Sequence, residues 1–193
     1  MNKKYELTDE TKGIGGITLH RIRALMDIPR YGVRAGDIGG WIETESNLSQ
    51  DGDAWVFGNA RVYGNARVFG NARVRDKARV CDKARVCGNA RVCDDAWVCE
   101  DARVYGDAEV SGNAEVKSIR DYAVFKNGWS SGRWFTYTRS NRIWRVGCFH
   151  GTGEELIAKA YKDSELSGKC YEAIVRAQEA IDRAIDEKEG DTK

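Results

Sequence analysis

The chain has 193 residues and carries 31 basic against 30 acidic side chains, so self-repulsion does not account for its sparse large hydrophobics. Only 38 residues are Leu, Ile, Val or Phe, a fraction that in a strongly charged chain would mean disorder. No apolar run approaches the roughly 20 residues that span a bilayer, and no hydrophobic stretch follows Met1–Tyr5 to act as a secretory signal, so a cytoplasmic location without a membrane partner is expected.

Residues 1–40 read as an N-terminal β cap. Within it Gly13-Ile14-Gly15-Gly16 is a hairpin loop and not a phosphate loop, because no Lys-Ser or Lys-Thr follows. From Ala54 onward Ala recurs every six residues to Ala114, and each is followed two residues later by Val, giving eleven copies of one hexamer. A six-residue period would scatter Val over every face of a helix. In a strand, by contrast, Ala and Val two apart share one side and their neighbours point to the other. The pair that follows, Gly-Asn or Asp-Lys, is turn chemistry. Three such strands and corners close a coil of 18 residues, with coils stacked at about 4.8 Å. Residues 41–118 therefore form a three-sided parallel β-helix of about four coils. Its narrow core needs only Val and Ala, which explains the low hydrophobic fraction.

The repeat resembles the hexapeptide-repeat family, in which an aliphatic residue is followed four positions later by a small one, as Val62 is by Ala66. That resemblance implies a left-handed β-helix. The lead-in Ala35-Gly36-Asp37-Ile38-Gly39-Gly40-Trp41, then Asn47-Leu48-Ser49-Gln50, is similar to the opening of YdcK-like proteins of the phage and prophage type. Gly147-Cys148-Phe149-His150-Gly151-Thr152, leading into a helix, is similar to the tail of the phage members. The family commonly forms trimers. A homo-oligomer is therefore expected, a trimer before a dimer, to cover outward aromatic and Cys residues on all three sides.

Function on such a coil lies on its outward positions. One side carries Trp55, Arg73, Arg91 and Glu109 beside Phe57, Arg75, Cys93 and Ser111; a second carries Arg61, Arg79, Trp97 and Glu115 beside Tyr63, Cys81, Cys99 and Lys117. The third, with Arg67, Arg85 and Arg103 beside Phe69, Cys87 and Tyr105, is a candidate anion strip. The six-residue spacing of Cys81, Cys87, Cys93 and Cys99 belongs to the repeat and lacks the close pairs of a zinc site, so no metal is expected. Acyl transfer, the familiar activity of the fold, uses a His on the coil as general base; residues 42–119 contain none, leaving only His150. No catalytic residue and no cofactor is assigned.

Residues 119–193 read as an α+β module, a three-stranded sheet over 121–126, 133–138 and 142–149 followed by helices near 153–162 and 168–188, the second with Tyr171, Ile174, Val175, Ile181 and Ile185 on its inner face. Thr152 and Glu155 form a capping box for the first helix. Between 122 and 153 there is no acidic residue, and Trp129, Arg133, Trp134, Tyr137, Arg139, Arg142, Trp144, Arg145, His150 and Thr152 are candidates for an anionic, nucleotide-like ligand: guanidinium groups pair with phosphate and indoles stack on bases. The expected function is that of a non-enzymatic phage accessory protein, active against host defence by sequestering such a ligand or a host defence protein. An acyltransferase and a nucleic-acid-binding protein are the alternatives.

Overall fold

The computed structural model describes residues 3–190. Strands β1 (Tyr5–Ile14) and β2 (Ile17–Ala24) form an antiparallel hairpin closed by Gly15-Gly16. Both glycines have positive φ, as a two-residue turn between twisted strands requires. Strand β3 (Ile38–Ile42) pairs with β2 on one side and, in parallel, with the coil on the other, Trp41 facing Arg61 and Ile42 facing Val62. This close approach explains the two glycines before Trp41. A Cβ on Gly39 would lie 2.6 Å from Ile22 Cγ1, and one on Gly40 2.6 Å from Val56 Cγ1.

Strands β4 to β14 are eleven two-residue strands, Trp55–Val56 first and then one every six residues to Glu115–Val116. Each pairs in parallel with the strand three hexamers away, so that β4, β7, β10 and β13 make a first face. Strands β5, β8, β11 and β14 make a second, and β6, β9 and β12 a third. The protein is thus a β-solenoid of about four coils. Every repeat Ala from Ala54 to Ala114 and every repeat Val from Val56 to Val116 is buried in one continuous core.

The inter-coil hydrogen bonds that flank the two-residue strands all run the same way. Arg61 N donates to Ala78 O (2.9 Å), Tyr63 N to Val80 O (3.0 Å) and Arg85 N to Ala102 O (2.8 Å), each from one coil to the next. The stack consequently ends in unpaired carbonyls at its N-terminal end and unpaired amides at its C-terminal end, and both must find partners. At the first end Lys4 Nζ donates to Gly52 O (3.1 Å) and Ala54 O (2.9 Å), and Tyr5 Oη donates to Leu48 O (2.6 Å). At the second, Thr136 Oγ1 accepts from Glu109 N (2.9 Å), Ser140 Oγ from Glu115 N (2.8 Å) and Asp121 Oδ2 from Lys117 N (2.8 Å).

The C-terminal module supplies the second set. Strands β15 (Tyr122–Lys126), β16 (Trp134–Thr138), β17 (Ile143–Val146) and β18 (Phe149–Gly151) form an antiparallel sheet in chain order, followed by α1 (Gly153–Asp163) and α2 (Glu165–Gly190). The sheet has four strands where the sequence reads as three. Gly147, at φ 56°, and Cys148 form a tight turn inside 142–149 that pairs Val146 with Phe149. On one face Phe135, Tyr137, Trp144 and Val146 pack with Leu156, Ile157, Ala160, Tyr171 and Val175. The other face meets the last coil, where Tyr122 and Val124 join the solenoid core. The buried stripe of α2 runs Tyr171, Val175, Gln178 and Asp182, at three- and four-residue steps, which turns Ile181 outward, 50% exposed. The Thr152 capping box is formed, with Glu155 N donating to Thr152 Oγ1 and Thr152 N to Glu155 Oε2.

Candidate ligand-binding site

The third face holds the strip expected on it. Register places Arg67 beside Arg85 and Arg85 beside Arg103 on successive coils. All three are exposed, and among the described residues none has a carboxylate within ion-pair distance. Phe69 and Tyr105 flank them, 38% and 50% exposed. A cavity of about 410 Å³ is lined by Arg67, Phe69 and Arg85 together with Glu45, Ser46, Ser49 and Gln50, Glu45 being paired with Lys3.

The C-terminal candidates do not converge on one site, because the sheet is two-sided. Tyr137 and Trp144 are core residues on the helix side, and Trp129 packs edge-on to Tyr171 (5.4 Å) and Phe135 (6.5 Å). Tyr137 Oη donates to the buried Asp182 carboxylate. Arg145 is on the opposite side, Nε 3.0 Å from Glu109 Oε1, an ion pair and not an aligned hydrogen bond. Arg139 pairs with Asp186, and Thr152 is committed to capping α1. Arg133 and Trp134 are exposed at the start of β16, and Lys126 Nζ sits 5.4 Å from the Trp134 ring. His150 projects toward Gly112 at the solenoid end, and among the described residues no carboxylate orients it. A cavity of about 420 Å³ does involve Tyr137, Arg142, Trp144 and Thr152, but Glu154, Glu179, Asp182 and Asp186 line it too. Four carboxylates against Arg142 and Arg183 make it a poor place for an anion.

A cavity of about 600 Å³ opens on the first face. The segment between β2 and β3 folds over this face and sets Tyr31 on it, anchored by its hydroxyl donating to Asn71 O. The Tyr31 ring stands edge-on to Phe57 at 6.1 Å, and the Arg73 guanidinium lies 4.8 Å from the Tyr31 centroid. Arg75 and Lys77 complete the wall with Gly58, Asn59 and Asp76. Three cations face one carboxylate, and that carboxylate already pairs with Arg75 at 3.3 Å. Burial and the neighbouring Arg91 guanidinium lower the proton affinity of Arg73 below that of a free arginine. A guanidinium remains charged in any case, so an anion entering here would relieve a crowding of positive charge. Arg73, Arg75 and Phe57 are among the outward residues of the sequence reading, but Tyr31 is not. The sequence reading placed no site on this face; the signal that could have found it is the run Arg73-Val74-Arg75-Asp76-Lys77, three cations in five residues.

The cysteines are all free thiols. Trp97 Nε1 donates to Cys81 Sγ (3.1 Å), and burial pushes the Cys93 thiol up to about 11 and the Cys99 thiol up to about 12. Asp76, Cys93 and Asp94 bring three ligand atoms within 4.8 Å of one another. Their chemistry suits the corner better than a cation. The thiol holds its proton, Asp76 Oδ2 accepts from Asp94 N (3.3 Å), and Asp94 Oδ2 accepts from Gly112 N (2.9 Å). Burial within the single chain also narrows the case for oligomerisation: Trp55, Cys81, Cys93 and Cys99 are already covered, leaving the third face as the one with exposed aromatics on the coil.

No helix among the described residues is long and apolar enough to cross a membrane. A comparison with curated proteins gives no match. Three segments, residues 54–68, 60–76 and 84–100, match the family model described as YdcK Beta solenoid repeat, all of them inside the coil. The chain is therefore a β-solenoid protein whose repeats are similar to those of the YdcK type.

Proposed function

We propose that the protein is a non-enzymatic binding protein for a planar, anionic, nucleotide-like small molecule, held on the first face between Tyr31 and the Arg73–Lys77 segment. The observation that carries this reading is the composition of the first-face cavity: two aromatic rings for stacking, and Arg73, Arg75 and Lys77 for phosphate, against a single carboxylate. Its volume of about 600 Å³ falls within the range of small-molecule sites. The biological setting we attach to it is that of a phage-encoded accessory protein that sequesters a host signal in the cytoplasm. That setting rests on the resemblance of the opening and tail segments to phage and prophage proteins.

Titration calorimetry with ADP-ribose and with cyclic dinucleotides tests the reading. Binding in the micromolar range is expected for at least one of them, weakened about tenfold or more by Arg75→Ala and by Phe57→Ala. Absence of heat with every ligand at about 0.5 mM, or undiminished binding in both variants, would overturn it.

A further inference from the structure

The third face has a second use that the cavity on the first face does not need. Seven of the sixteen arginines elsewhere on the molecule pair with carboxylates: Arg21 with Glu10, Arg23 with Glu6, Arg75 with Asp76, Arg91 and Arg145 with Glu109, Arg139 with Asp186, Arg176 with Glu154. Arg67, Arg85 and Arg103 have no such pair among the described residues, and they stand in a row of three on successive coils of one face. The cost of stacking them is small in water, about 1 kcal/mol per neighbouring pair. Still, no ion pair among the described residues offsets it.

Beside the ladder runs an apolar column. Phe69 and Tyr105 stand on the coil, and where the coil meets the C-terminal sheet Ile119 (56% exposed) and Trp134 (43% exposed) continue it. There Tyr105, Ile119, Tyr122, Val124 and Trp134, with Gly106 and Asp107 beside them, line a cavity of about 330 Å³, with Tyr105 and Tyr122 edge-on at 6.4 Å. Tyr122 is fixed by its hydroxyl donating to Arg103 O (2.8 Å), so the cavity wall is tied to the end of the ladder. A row of cations thus leads into an apolar socket.

We propose that this face docks an acidic segment of a partner protein, its carboxylates along Arg67, Arg85 and Arg103 and one large apolar side chain in the socket formed by Tyr105, Ile119 and Trp134. Unpaired guanidinium groups call for carboxylates, which they grip bidentately, and Arg, Tyr and Trp are the residues that carry binding energy at protein interfaces. The ladder spans only two coil steps, about 10 Å, and ends at the apolar socket. A phosphodiester strand would leave that socket unfilled, whereas a short acidic segment ending in a large apolar residue would fill it.

The test is fluorescence anisotropy with a labelled peptide of four Glu followed by Leu and Phe, titrated with the full-length protein. Saturable binding is expected at tens to hundreds of micromolar, weakened about tenfold or more by Arg85→Glu and by Trp134→Ala, and by removing the Phe from the peptide. Both substitutions are at exposed positions, and a circular-dichroism melt unchanged from the parent protein qualifies each. Arg75→Ala on the first face should leave this binding unaltered, which separates the two sites. The proposal is overturned by no binding at about 1 mM, or by equal affinity for Arg85→Glu. It is also overturned by tighter binding of a thymidine hexanucleotide, which would make the face a nucleic-acid surface, or by light scattering showing that Arg85→Glu dissociates a homo-oligomer, which would make the occupant a second copy.

Discussion

Lys4 shows how much a single side chain can carry at a solenoid end. It is 2% exposed and donates to two carbonyls that would otherwise close the stack with unpaired acceptors. Burial pushes its pKa down to about 8 from 10.5, against the opposing pull of Asp53 and Asp51. In the unfolded chain the same amine keeps its proton to about 10.4. Between the two values the unfolded state binds more protons, so this group's contribution to stability rises with pH through that window, and the burial cost is present in full below it. Cys93, whose thiol is pushed up to about 11, works in the opposite sense once pH passes about 9. The comparison must therefore be a difference between proteins. The melting temperature of the parent relative to Lys4→Met should rise by about 2 °C or more from pH 7.5 to pH 10. A gap that does not change with pH would show that the ammonium is not buried as a charge.

At the scale of the hexamer, the Ala and Val ladders set the fold and the corners set its tolerance. Gly88, at φ +68°, sits in a corner where a Cβ would lie 2.9 Å from Gly106 N and 3.2 Å from Gly106 O, both of them backbone atoms of the next coil. Asn89 N donates to that same carbonyl at 2.8 Å, so the coil cannot give way without losing a rung. Gly106, at φ +67°, has nothing within 4 Å of its Cβ position. Gly106→Ala should therefore cost only the left-handed backbone term, about 1 kcal/mol, whereas Gly88→Ala should cost about 2–4 kcal/mol in urea denaturation. Equal costs would mean that the coils are not in van der Waals contact at this corner. The repeat was readable because its period is written in Ala and Val, and the third-face ladder followed directly from counting by 18. Tyr31 was not readable: residues 25–37 carry no periodicity, and nothing local says that they fold across the first face. Nor was the pairing of Thr136 with Glu109 N, since a hydroxyl that caps an amide 27 positions away leaves no pattern in sequence. The split of 142–149 turned on a single glycine inside an otherwise alternating strand.

For the molecule as a whole, the shared direction of the hydrogen bonds flanking the strands makes the two ends of the stack unlike, and the charge distribution follows that difference. Basic residues dominate the early coils and the acceptor end is capped by Lys4, while seven acidic residues fall in 92–116, near the donor end. The sheet that closes that end has no acidic residue between 122 and 153, and Arg145 meets Glu109 across the junction. Near-neutrality overall is thus a cancellation between parts that face one another, and the acid-free sheet is explained more economically as a cap than as an anion site. The hydroxyls of Thr136 and Ser140 are the specific contacts in this arrangement, each accepting from a last-coil amide. Removing them in Thr136→Val with Ser140→Ala leaves the bulk of the sheet intact but strips the amides of their acceptors. The part-buried Glu109 amide left without an acceptor costs about 1–3 kcal/mol while the exposed Glu115 amide can turn to water, so the double variant should lose about 1–3 kcal/mol, and the uncovered coil edge should offer itself to another chain. The expected readouts are a lower urea midpoint and a concentration-dependent rise in mass by light scattering, neither of which appears in Arg133→Ala, an exposed change in the same module. If the double variant matches the parent within about 0.5 kcal/mol and keeps its mass, the sheet does not act as the end cap of the solenoid.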